Sequence, residues 1–378
     1  MKRFARYLQK YVINDLKKKM VLIGGPRQVG KTTFAVSLLN PPNIESPAYL
    51  NWDDIANKEQ IRTGRLPLNE PLIVLDEIHK YKNWRNLIKG FYDKQRLKHQ
   101  FLITGSARID HYSKGGDSLM GRYHFYRMHP LSVSELSIST NKELDRLLRL
   151  GGFPEPYFEN DEVQANRWRR ERLRRILYED LRDLENVKDV SNMENLLSLL
   201  PKRVASILSY QSLANEIEVD IKTVQKWIGI FDNLYLTFRV TPYVPKKLRV
   251  VKRSHRLYFW DWGGLSDAGA QFENLVAAQL LKYCHFIEDT QGDEMSLRFL
   301  KDTEGREVDF VVLKNKKPIF AVECKSGERA ASPNLFYFKE RTQIPYFYQV
   351  HLGTDHFSPE PNIEVIPFLK FCSKMQMP

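Results

Sequence analysis

Eight residues near the start of the chain have the types and spacing needed to hold a triphosphate. They fit the pattern G-x-x-x-x-G-K-[ST] and read Gly25, Pro26, Arg27, Gln28, Val29, Gly30, Lys31 and Thr32. In such a loop the backbone N–H groups surround the phosphates, and glycine lets the backbone approach them closely. We expect Lys31 to contact the β- and γ-phosphates and Thr32 to bind Mg²⁺, with Thr33 completing the nucleotide site. The pattern therefore predicts binding of ATP and Mg²⁺.

Two acids follow an apolar run and supply the other half of this predicted site. Residues 72–75 read Leu-Ile-Val-Leu and lead directly into Asp76 and Glu77. We expect Asp76 to hold the magnesium through water, and Glu77 to polarise the water that attacks the γ-phosphate. A further apolar run ends in Thr104 and Ser106, which could contact the γ-phosphate or position water, or could instead cap a helix. Together, the loop and the acids predict ATP hydrolysis.

Arg122 and Arg127 are candidates for stabilising the negative charge of the transition state. We expect such an arginine finger to reach the ATP of a neighbouring subunit, so the prediction includes assembly into a homo-oligomer. The alternative is an ordinary ion pair at the protein surface.

Short apolar runs alternate with helical patterns through the first third of the chain. The candidate strands are Met20–Gly24, Ala48–Trp52, Leu72–Leu75 and Phe101–Thr104, and the candidate helices include Lys31–Leu39 and Trp84–Gln95. Alternation of this kind predicts an α/β fold with a parallel sheet and right-handed crossovers. The phosphate loop joins the first strand to the first helix, which is where its amides can face a ligand.

A second group of acids, in the last third of the chain, has the composition of a metal site. Two apolar stretches read as a hairpin, and alternation along its strands places Asp309, Glu323 and Lys325 on one side of the sheet. Two carboxylates can hold Mg²⁺, and a lysine beside them favours formation of hydroxide. Glu273, on an apolar helical stretch upstream, could close the site. The arrangement resembles the PD-(D/E)xK nuclease core, which implies metal-dependent cleavage of DNA; the alternative is a domain that keeps this fold without cleaving.

Six arginines crowd one predicted helix in the middle of the chain, at positions 167, 169, 170, 172, 174 and 175. They cannot share one helix face, because residues one or two positions apart diverge. Some must be solvated or paired with the acids Glu179, Asp180 and Asp183. The others could follow a phosphate backbone or reach the nucleotide, and the alternative is a lid helix held by salt bridges.

Residues 212–231 have the pattern of a helix-turn-helix. The predicted buried face consists of Leu213, Ala214, Ile217, Val224, Trp227, Ile228, Phe231 and Leu234. This pattern leaves Lys222, Gln225 and Lys226 outward, where a recognition helix would meet DNA, although such units also dock proteins. A basic run then follows and could form a wing that contacts phosphates, through Lys246, Lys247, Arg249, Lys252, Arg253 and Arg256.

Composition sets limits on the class of protein. A chain of 378 residues is long enough for more than one domain, and its net charge of +12 and pI of about 9.4 favour a polyanionic partner such as DNA. Cys284, Cys324 and Cys372 lie far apart, which argues against a zinc ribbon or disulfide framework and favours the cytoplasm. We find no signal peptide and no stretch near the ~18 apolar residues of a membrane helix.

Several strings together resemble one family of bacterial and archaeal proteins. These strings are GPRQVGKTT, LDEIH with Trp84 downstream, TGSA, GR…HPLSVSE, Gly151–Glu155 and Tyr178–Asp183. The family is that of AAA-like P-loop ATPases with an uncharacterised C-terminal domain, and the resemblance covers nearly the whole chain. It implies an AAA+-type core at 1–143, a helical lid at 144–200, a winged helix-turn-helix at 201–256 and a restriction-endonuclease-like α/β domain at 257–378. It also favours Arg122 as the finger.

Two functional hypotheses remain open from the sequence. The first is an enzyme that uses ATP to act on DNA, with a C-terminal region that cuts or clamps it. The second is a nucleotide-gated switch that docks protein partners and carries an inactive nuclease-like domain. Stimulation of ATP turnover by DNA separates them, because the switch predicts none.

Overall fold

The computed structural model of the protein describes residues 5–105, 119–180, 189–245, 248, 250, 254–327 and 330–378. The chain divides into two units, Met1–His129 and Pro130–Pro378. Some residues singled out from the sequence lie outside the described residues, namely Ser106, Asp183, Lys246, Lys247, Arg249, Lys252 and Arg253. The side chains of Glu179 and Asp180 are also outside the description.

A parallel sheet forms the centre of the N-terminal unit. Its described strands are β1 (Met20–Gly24), β2 (Tyr49–Asn51), β3 (Leu72–Asp76), β4 (Gln100–Thr104) and β5 (Tyr123–Arg127). They lie in the order β2-β3-β4-β1-β5, and every neighbouring pair is parallel. Strands β1 and β3 are buried along their whole length, which accounts for their continuous apolar sequences.

Helices follow the strands of this unit as the sequence predicts. They are α1 (Gln9–Leu16), α2 (Lys31–Ser37), α3 (Ile55–Thr63) and α4 (Trp84–Gln95), with a 3-10 turn at Ile78–Lys80. In α4 the buried residues Trp84, Ile88 and Phe91 recur at helical spacing and pack into one core cluster with the apolar residues of the sheet. The predicted strands and helices of this region are therefore confirmed to within about two residues, the usual uncertainty of element ends.

Helices fill the first part of the second unit. They are α5 (Asn141–Leu150), α6 (Pro154–Glu159), α7 (Glu162–Arg175), α8 (Val190–Leu199), α9 (Tyr210–Glu216) and α10 (Ile221–Asn233), with a π-helical turn at Ile176–Asp180 and a 3-10 turn at Leu200–Arg203. A capping box between Thr140 and Glu143 fixes the start of α5 by satisfying backbone N–H groups that the helix leaves without partners. Helices thus make up most of the described part of residues 144–200, the range in which the resemblance implies a helical lid.

A mixed sheet occupies the rest of the second unit. Its strands are β6 (Thr237–Pro242), β7 (Arg256–Phe259), β8 (Met295–Lys301), β9 (Glu307–Lys314), β10 (Lys317–Lys325), β11 (Phe347–His351), β12 (Phe357–Glu360) and β13 (Ile363–Pro367). The order is β12-β13-β11-β10-β9-β8-β6-β7. Around it lie α11 (Ala268–Gln291), α12 (Pro333–Arg341), α13 (Phe368–Lys374) and a 3-10 turn at Trp262–Gly264.

The predicted hairpin in this sheet is confirmed. Strands β9 and β10 pair antiparallel, and Asn315 and Lys316 form the turn with φ values of 50° and 66°. Two consecutive left-handed residues match the right-handed twist of the flanking strands, as in a type I′ turn. The turn therefore sets the register that brings Asp309 and Glu323 to the same region of the sheet.

The boundary predicted between residues 256 and 257 needs correction. Strand β7 begins at Arg256, so the boundary falls inside a strand. Strand β7 pairs with β6, and β6 pairs in parallel with β8 at Thr241 and Pro242. The β6–β7 hairpin is thus continuous with the C-terminal sheet, which composition alone could not indicate because β-pairing joins residues far apart in sequence.

Among the helices of the described segments, none combines the length and the apolar composition that crossing a membrane requires.

Candidate functional site

The phosphate loop has the backbone geometry that its glycines predict. Gly25 has φ of +138°, and a Cβ atom at this position would lie 2.4 Å from the carbonyl oxygen of Met128, so no other residue fits. Gly30, at the start of α2, is also left-handed, with φ of 98°. Lys31 is 6% exposed, and its Nζ atom donates to the carbonyl oxygens of Gly25 and Pro26 at 2.9 and 2.7 Å. The lysine is therefore folded back over its own loop, next to the predicted phosphate site.

Asp76 lies at the carboxyl end of β3 and is the most connected acid of this site. It is 1% exposed, and its Oδ2 atom accepts from the hydroxyls of Thr32 at 2.7 Å and Tyr49 at 2.8 Å. Its Oδ1 atom accepts from the hydroxyl of Thr104 and from the N–H of Glu77 at 3.0 Å. The structure thus brings together the predicted residues Thr32, Asp76 and Thr104, which come from three different elements.

The donor set around Asp76 fits a magnesium ion. A hydroxyl and a carboxylate are hard oxygen ligands, and Mg²⁺ is commonly held by one or two protein oxygens together with phosphates and water. Thr32 and Asp76 have these oxygens within 2.7 Å of each other. When bound, magnesium would supply positive charge to the phosphates of the nucleotide. Thr32 and Asp76 are the residues that would hold it.

Glu77 follows Asp76 in a conformation that non-glycine residues seldom adopt. Its φ is 56°, and such a left-handed residue requires support from its surroundings. The backbone N–H of Glu77 donates to the carbonyl oxygen of Thr104 at 3.0 Å, which helps to hold the turn. Burial raises the pKa of the Glu77 carboxyl above its usual range, the charge of Lys31 opposes this, and the charge of Asp76 adds to it. A carboxyl with a raised pKa beside a phosphate loop suits a general base.

The two candidate finger residues lie at opposite ends of β5. Arg122 precedes the strand at the end that pairs with Met20, away from the phosphate loop. Its guanidinium pairs with Asp93 through Nε at 2.8 Å and Nη2 at 3.2 Å. Arg127 ends the strand opposite Gly24, on the side of the loop. Arg122 therefore takes no part in the nucleotide site of its own chain, and a role at a neighbouring subunit stays a prediction.

The second predicted site also contains Arg256, which the sequence places in a basic run that could form a wing. Asp309 and Glu273 come together as expected, but the guanidinium of Arg256 lies between them. Its Nη1 atom is 3.1 Å from Asp309 Oδ1 and 3.5 Å from Glu273 Oε1, and its Nη2 atom is 2.7 Å from Glu307 Oε2. We call Glu273, Glu307, Asp309, Glu323 and Arg256 the C-terminal acid cluster.

Glu323 and Lys325 pair with each other in this cluster. The Lys325 Nζ atom donates to Glu323 Oε1 at 2.7 Å. Burial, and then the charge of Asp309, raise the pKa of Glu323 to about 7, while Lys325 opposes the shift. Burial and Asp309 likewise raise the pKa of Glu273 well above its usual range.

The structure does not form the metal site that was predicted at these residues. Across the described ranges, no three His, Cys, Asp or Glu side chains are placed to hold a metal ion together. At Glu273, Asp309 and Glu323 the reason is visible, since the guanidinium of Arg256 and the ammonium of Lys325 already pair with these carboxylates. The residues present therefore do not fit a divalent cation, and no cleavage step follows from them.

The helix-turn-helix faces agree with the prediction. Leu213, Ala214 and Ile217 of the first helical segment are buried, as are Val224, Trp227, Ile228, Phe231 and Leu234 of the second. The side chains of Lys222, Gln225 and Lys226 are exposed, as predicted. Whether this unit is a winged helix that binds DNA stays a prediction.

The six arginines of α7 divide into two groups. Arg169 is partly buried and pairs with Asp261 at 3.1 Å, and Arg172 is buried against the ring of Phe153. The exposed members are Arg167, Arg170, Arg174 and Arg175. Positions 167, 170 and 174 fall within about 60° of one another around a helix, so they form one basic stripe. We call these three residues the α7 arginine stripe.

Two functional contacts were missed by the sequence interpretation. Tyr49 donates to Asp76, and Arg256 fills the acid cluster. A signal for Tyr49 was its hydroxyl-bearing side chain in a predicted strand of the sheet that carries the phosphate loop, next to the apolar Leu50. Arg256 carried no separate signal, because it ended a run of basic residues that suggested a solvated surface.

Comparison with known proteins agrees with the N-terminal geometry. Residues 17–137 match the family described as "AAA domain". This part of the chain is AAA-like. The match supports the predicted AAA-like class for residues 17–137, and the parallel sheet fits that class. Residues 141–272 and 268–371 match two families described as domains of unknown function, DUF8612 and DUF4143.

Curated relatives extend over much of the chain at low identity. "Uncharacterized protein MJ1637" of Methanocaldococcus jannaschii is 24% identical over 430 residues, which cover 96% of this chain and 86% of that protein. "Uncharacterized protein Rv2008c" of Mycobacterium tuberculosis is 24% identical over 278 residues, which cover 69% of this chain. The chain spans only 62% of the length of this mycobacterial relative.

A solved structure with partial similarity is the Thermotoga maritima RuvB Holliday junction branch migration motor. It has 15% identity and a TM-score of 0.31, with 62% of this chain and 88% of that chain covered. We draw no conclusion about function from a similarity of this extent.

Proposed function

We propose that this chain is a magnesium-dependent ATPase that acts on DNA. The observation that carries the ATPase part is the arrangement at Asp76, where the Thr32 hydroxyl of the phosphate loop meets the carboxylate that ends β3, at 2.7 Å. Two elements separated by 44 positions in sequence meet at the place where the pattern requires them. The match of residues 17–137 to the AAA domain supports the same activity.

Each residue of the site has a role in this proposal. The loop from Gly25 to Thr32 binds the triphosphate through backbone amides, and Lys31 leaves its loop carbonyls to contact the β- and γ-phosphates. Glu77 accepts a proton from the attacking water, and a pKa above the usual range makes its carboxylate a stronger base. Thr104 holds Asp76 in place through a hydrogen bond to Oδ1.

Two exposed basic surfaces support the proposal that DNA is the partner. The α7 arginine stripe consists of exposed arginines on one side of a helix, and such a stripe can neutralise phosphates. Lys222 and Lys226 are exposed on α10, the second helix of the helix-turn-helix. The net charge of +12 favours the same class of partner. Homo-oligomer formation, with Arg122 or Arg127 acting on a neighbouring subunit, belongs to the proposal and can be measured by mass photometry with and without ATP.

The test of DNA action is ATP turnover with and without duplex, branched and single-stranded DNA. We expect DNA to increase turnover. We also expect the double variant Lys222→Glu/Lys226→Glu to weaken DNA binding and to reduce the salt slope by about one unit for each phosphate that is no longer neutralised. The matched control is Lys316→Glu/Lys370→Glu, which changes the net charge equally at exposed positions on other elements. If none of the DNA forms changes the rate of ATP turnover, the proposal that the protein acts on DNA is wrong, and the proposed ATPase activity is unaffected.

One observation favours a second candidate function for the whole chain. Arg256 in the C-terminal acid cluster fits a nuclease-like domain that does not cleave, which belongs to the hypothesis of a nucleotide-gated switch with protein partners. DNA-independent turnover, together with altered capture of a protein partner on ATP binding, would favour this switch.

A further inference from the structure

The centre of the C-terminal acid cluster is occupied by a side chain of the protein itself. Arg256 is 2% exposed, and its two terminal nitrogens contact Glu273, Glu307 and Asp309 at 2.7 to 3.5 Å. Its guanidinium lies 5.1 Å from the centroid of the Phe299 ring, which closes one side of the group. A buried guanidinium with several carboxylates around it takes the place that a cation would need.

Further protein groups also donate hydrogen bonds to the acids of the cluster. Asp309 Oδ2 accepts from the N–H of Cys324 at 2.8 Å, and Glu273 Oε1 accepts from the Tyr258 hydroxyl at 2.8 Å. Glu323 Oε2 is buried without a hydrogen-bond partner. Protein donors thus hold both oxygens of Asp309 and one oxygen each of Glu273, Glu307 and Glu323, whereas Mg²⁺ bound by protein prefers near-octahedral coordination by several oxygens.

The charges of the cluster are nearly balanced without a metal. Its acids are Glu273, Glu307, Asp309 and Glu323, and the cations paired with them are Arg256, Lys301 and Lys325. One shared proton would complete the balance. A divalent cation would instead add two charges beside a buried guanidinium, which is costly at this burial.

We infer that Arg256 is the resident cation of the C-terminal acid cluster, so that the domain neither binds a divalent metal there nor cleaves nucleic acid. Arg256 belongs to β7, whereas Glu273 belongs to α11 and Asp309 to β9. The guanidinium therefore fastens the β6–β7 hairpin to the helix and the sheet that a metal would otherwise join. This inference goes beyond the proposed ATPase and does not depend on it.

The experiment compares Mn²⁺ binding by four forms of the full chain without nucleotide. These are the wild type, Asp309→Asn, Arg256→Met and the double variant. Free Mn²⁺ is followed by electron paramagnetic resonance, and Tm is measured in the same titration. Because Asp309→Asn keeps the size of the side chain, it corrects for Mn²⁺ bound at other positions.

We expect the wild type and Asp309→Asn to bind the same amount of Mn²⁺. Arg256→Met should gain one equivalent that the double variant lacks. Without metal, Arg256→Met should also have a lower Tm than the wild type. Saturating Mn²⁺ should raise the Tm of this variant by about 5 °C.

Two results would overturn the inference. One is Mn²⁺ bound by the wild type but not by Asp309→Asn, or Mn²⁺-dependent DNA cleavage with the same dependence on Asp309. The other is a folded Arg256→Met variant that gains no Mn²⁺. If Arg256→Met does not fold, the comparison of the wild type with Asp309→Asn decides the question.

Discussion

The phosphate site and the C-terminal acid cluster both contain buried carboxylates on β-strands, yet they differ in which groups contact the acid. Asp76 accepts from the neutral hydroxyls of Thr32 and Tyr49. Asp309 accepts from the guanidinium of Arg256, which compensates its charge within the protein. Neutral donors keep an acid available to a cation, whereas a buried arginine replaces that cation. The chemistry of a carboxylate thus depends on its partner more than on its place in the fold.

The largest effect should come from the lysine of the phosphate loop. Lys31→Ala removes the positive charge next to the predicted phosphates, and we expect ATP turnover to fall by at least about 10³-fold. The control is Lys10→Ala, an exposed lysine of α1. Turnover is measured as phosphate release at saturating ATP. If both variants turn over ATP like the wild type, the site is assigned wrongly.

The C-terminal cluster should respond in stability rather than in turnover. Arg256→Met leaves Glu273, Glu307 and Asp309 buried without their shared cation, and we expect the free energy of unfolding to fall by about 3–5 kcal/mol. Lys325→Met removes a more exposed cation from Glu323, with an expected loss of about 1 kcal/mol or less. Chemical denaturation measures both. Equal losses would show that the buried guanidinium has no special role.

The pH dependence of kcat/KM for ATP tests the proton acceptor. Glu77 accepts a proton only when ionised, and burial and Asp76 raise its pKa above the ordinary 4.5. The folded protein therefore holds this proton to a higher pH, so kcat/KM should fall as the pH is lowered through a value above 4.5. ATP affinity is measured over the same range as the control. If kcat/KM falls only at or below the ordinary pKa of 4.5, Glu77 is not the base.

A smaller effect is expected at Tyr49. Tyr49→Phe removes one hydrogen bond to the carboxylate of Asp76, which is worth about 1.5–3 kcal/mol when one partner is charged. We expect the Mg²⁺ concentration for half-maximal turnover to rise roughly tenfold, with maximal turnover largely retained. Tyr81→Phe, which lies outside this network, is the control. An unchanged Mg²⁺ requirement would limit the tyrosine to a packing role.

Local patterns allowed much of the AAA-like region to be predicted. The loop, strand β1 and helix α4 were predicted at or near their observed bounds, because each is specified by a short run of residues. The buried face of α10 was predictable for the same reason, from apolar residues at helical spacing.

Long-range pairing explains what could not be predicted. Tyr49 reaches Asp76 because β2 lies beside β3, an order that neither strand's sequence reveals. Arg256 meets Asp309 across 53 positions, through the pairing of β6 with both β7 and β8. A basic run followed by a strand is compatible with a surface or with a buried ion pair, and only the sheet order separates the two.

The central claim is that Asp76 and Glu77 act on a nucleotide held by the loop at residues 25–32. The most direct test is Glu77→Gln, measured for ATP affinity and for phosphate release in the same preparation. We predict ATP binding within a few-fold of the wild type and phosphate release lowered by about 10²–10⁴-fold. Phosphate release at the wild-type rate, or ATP binding lost together with turnover, would contradict the claim.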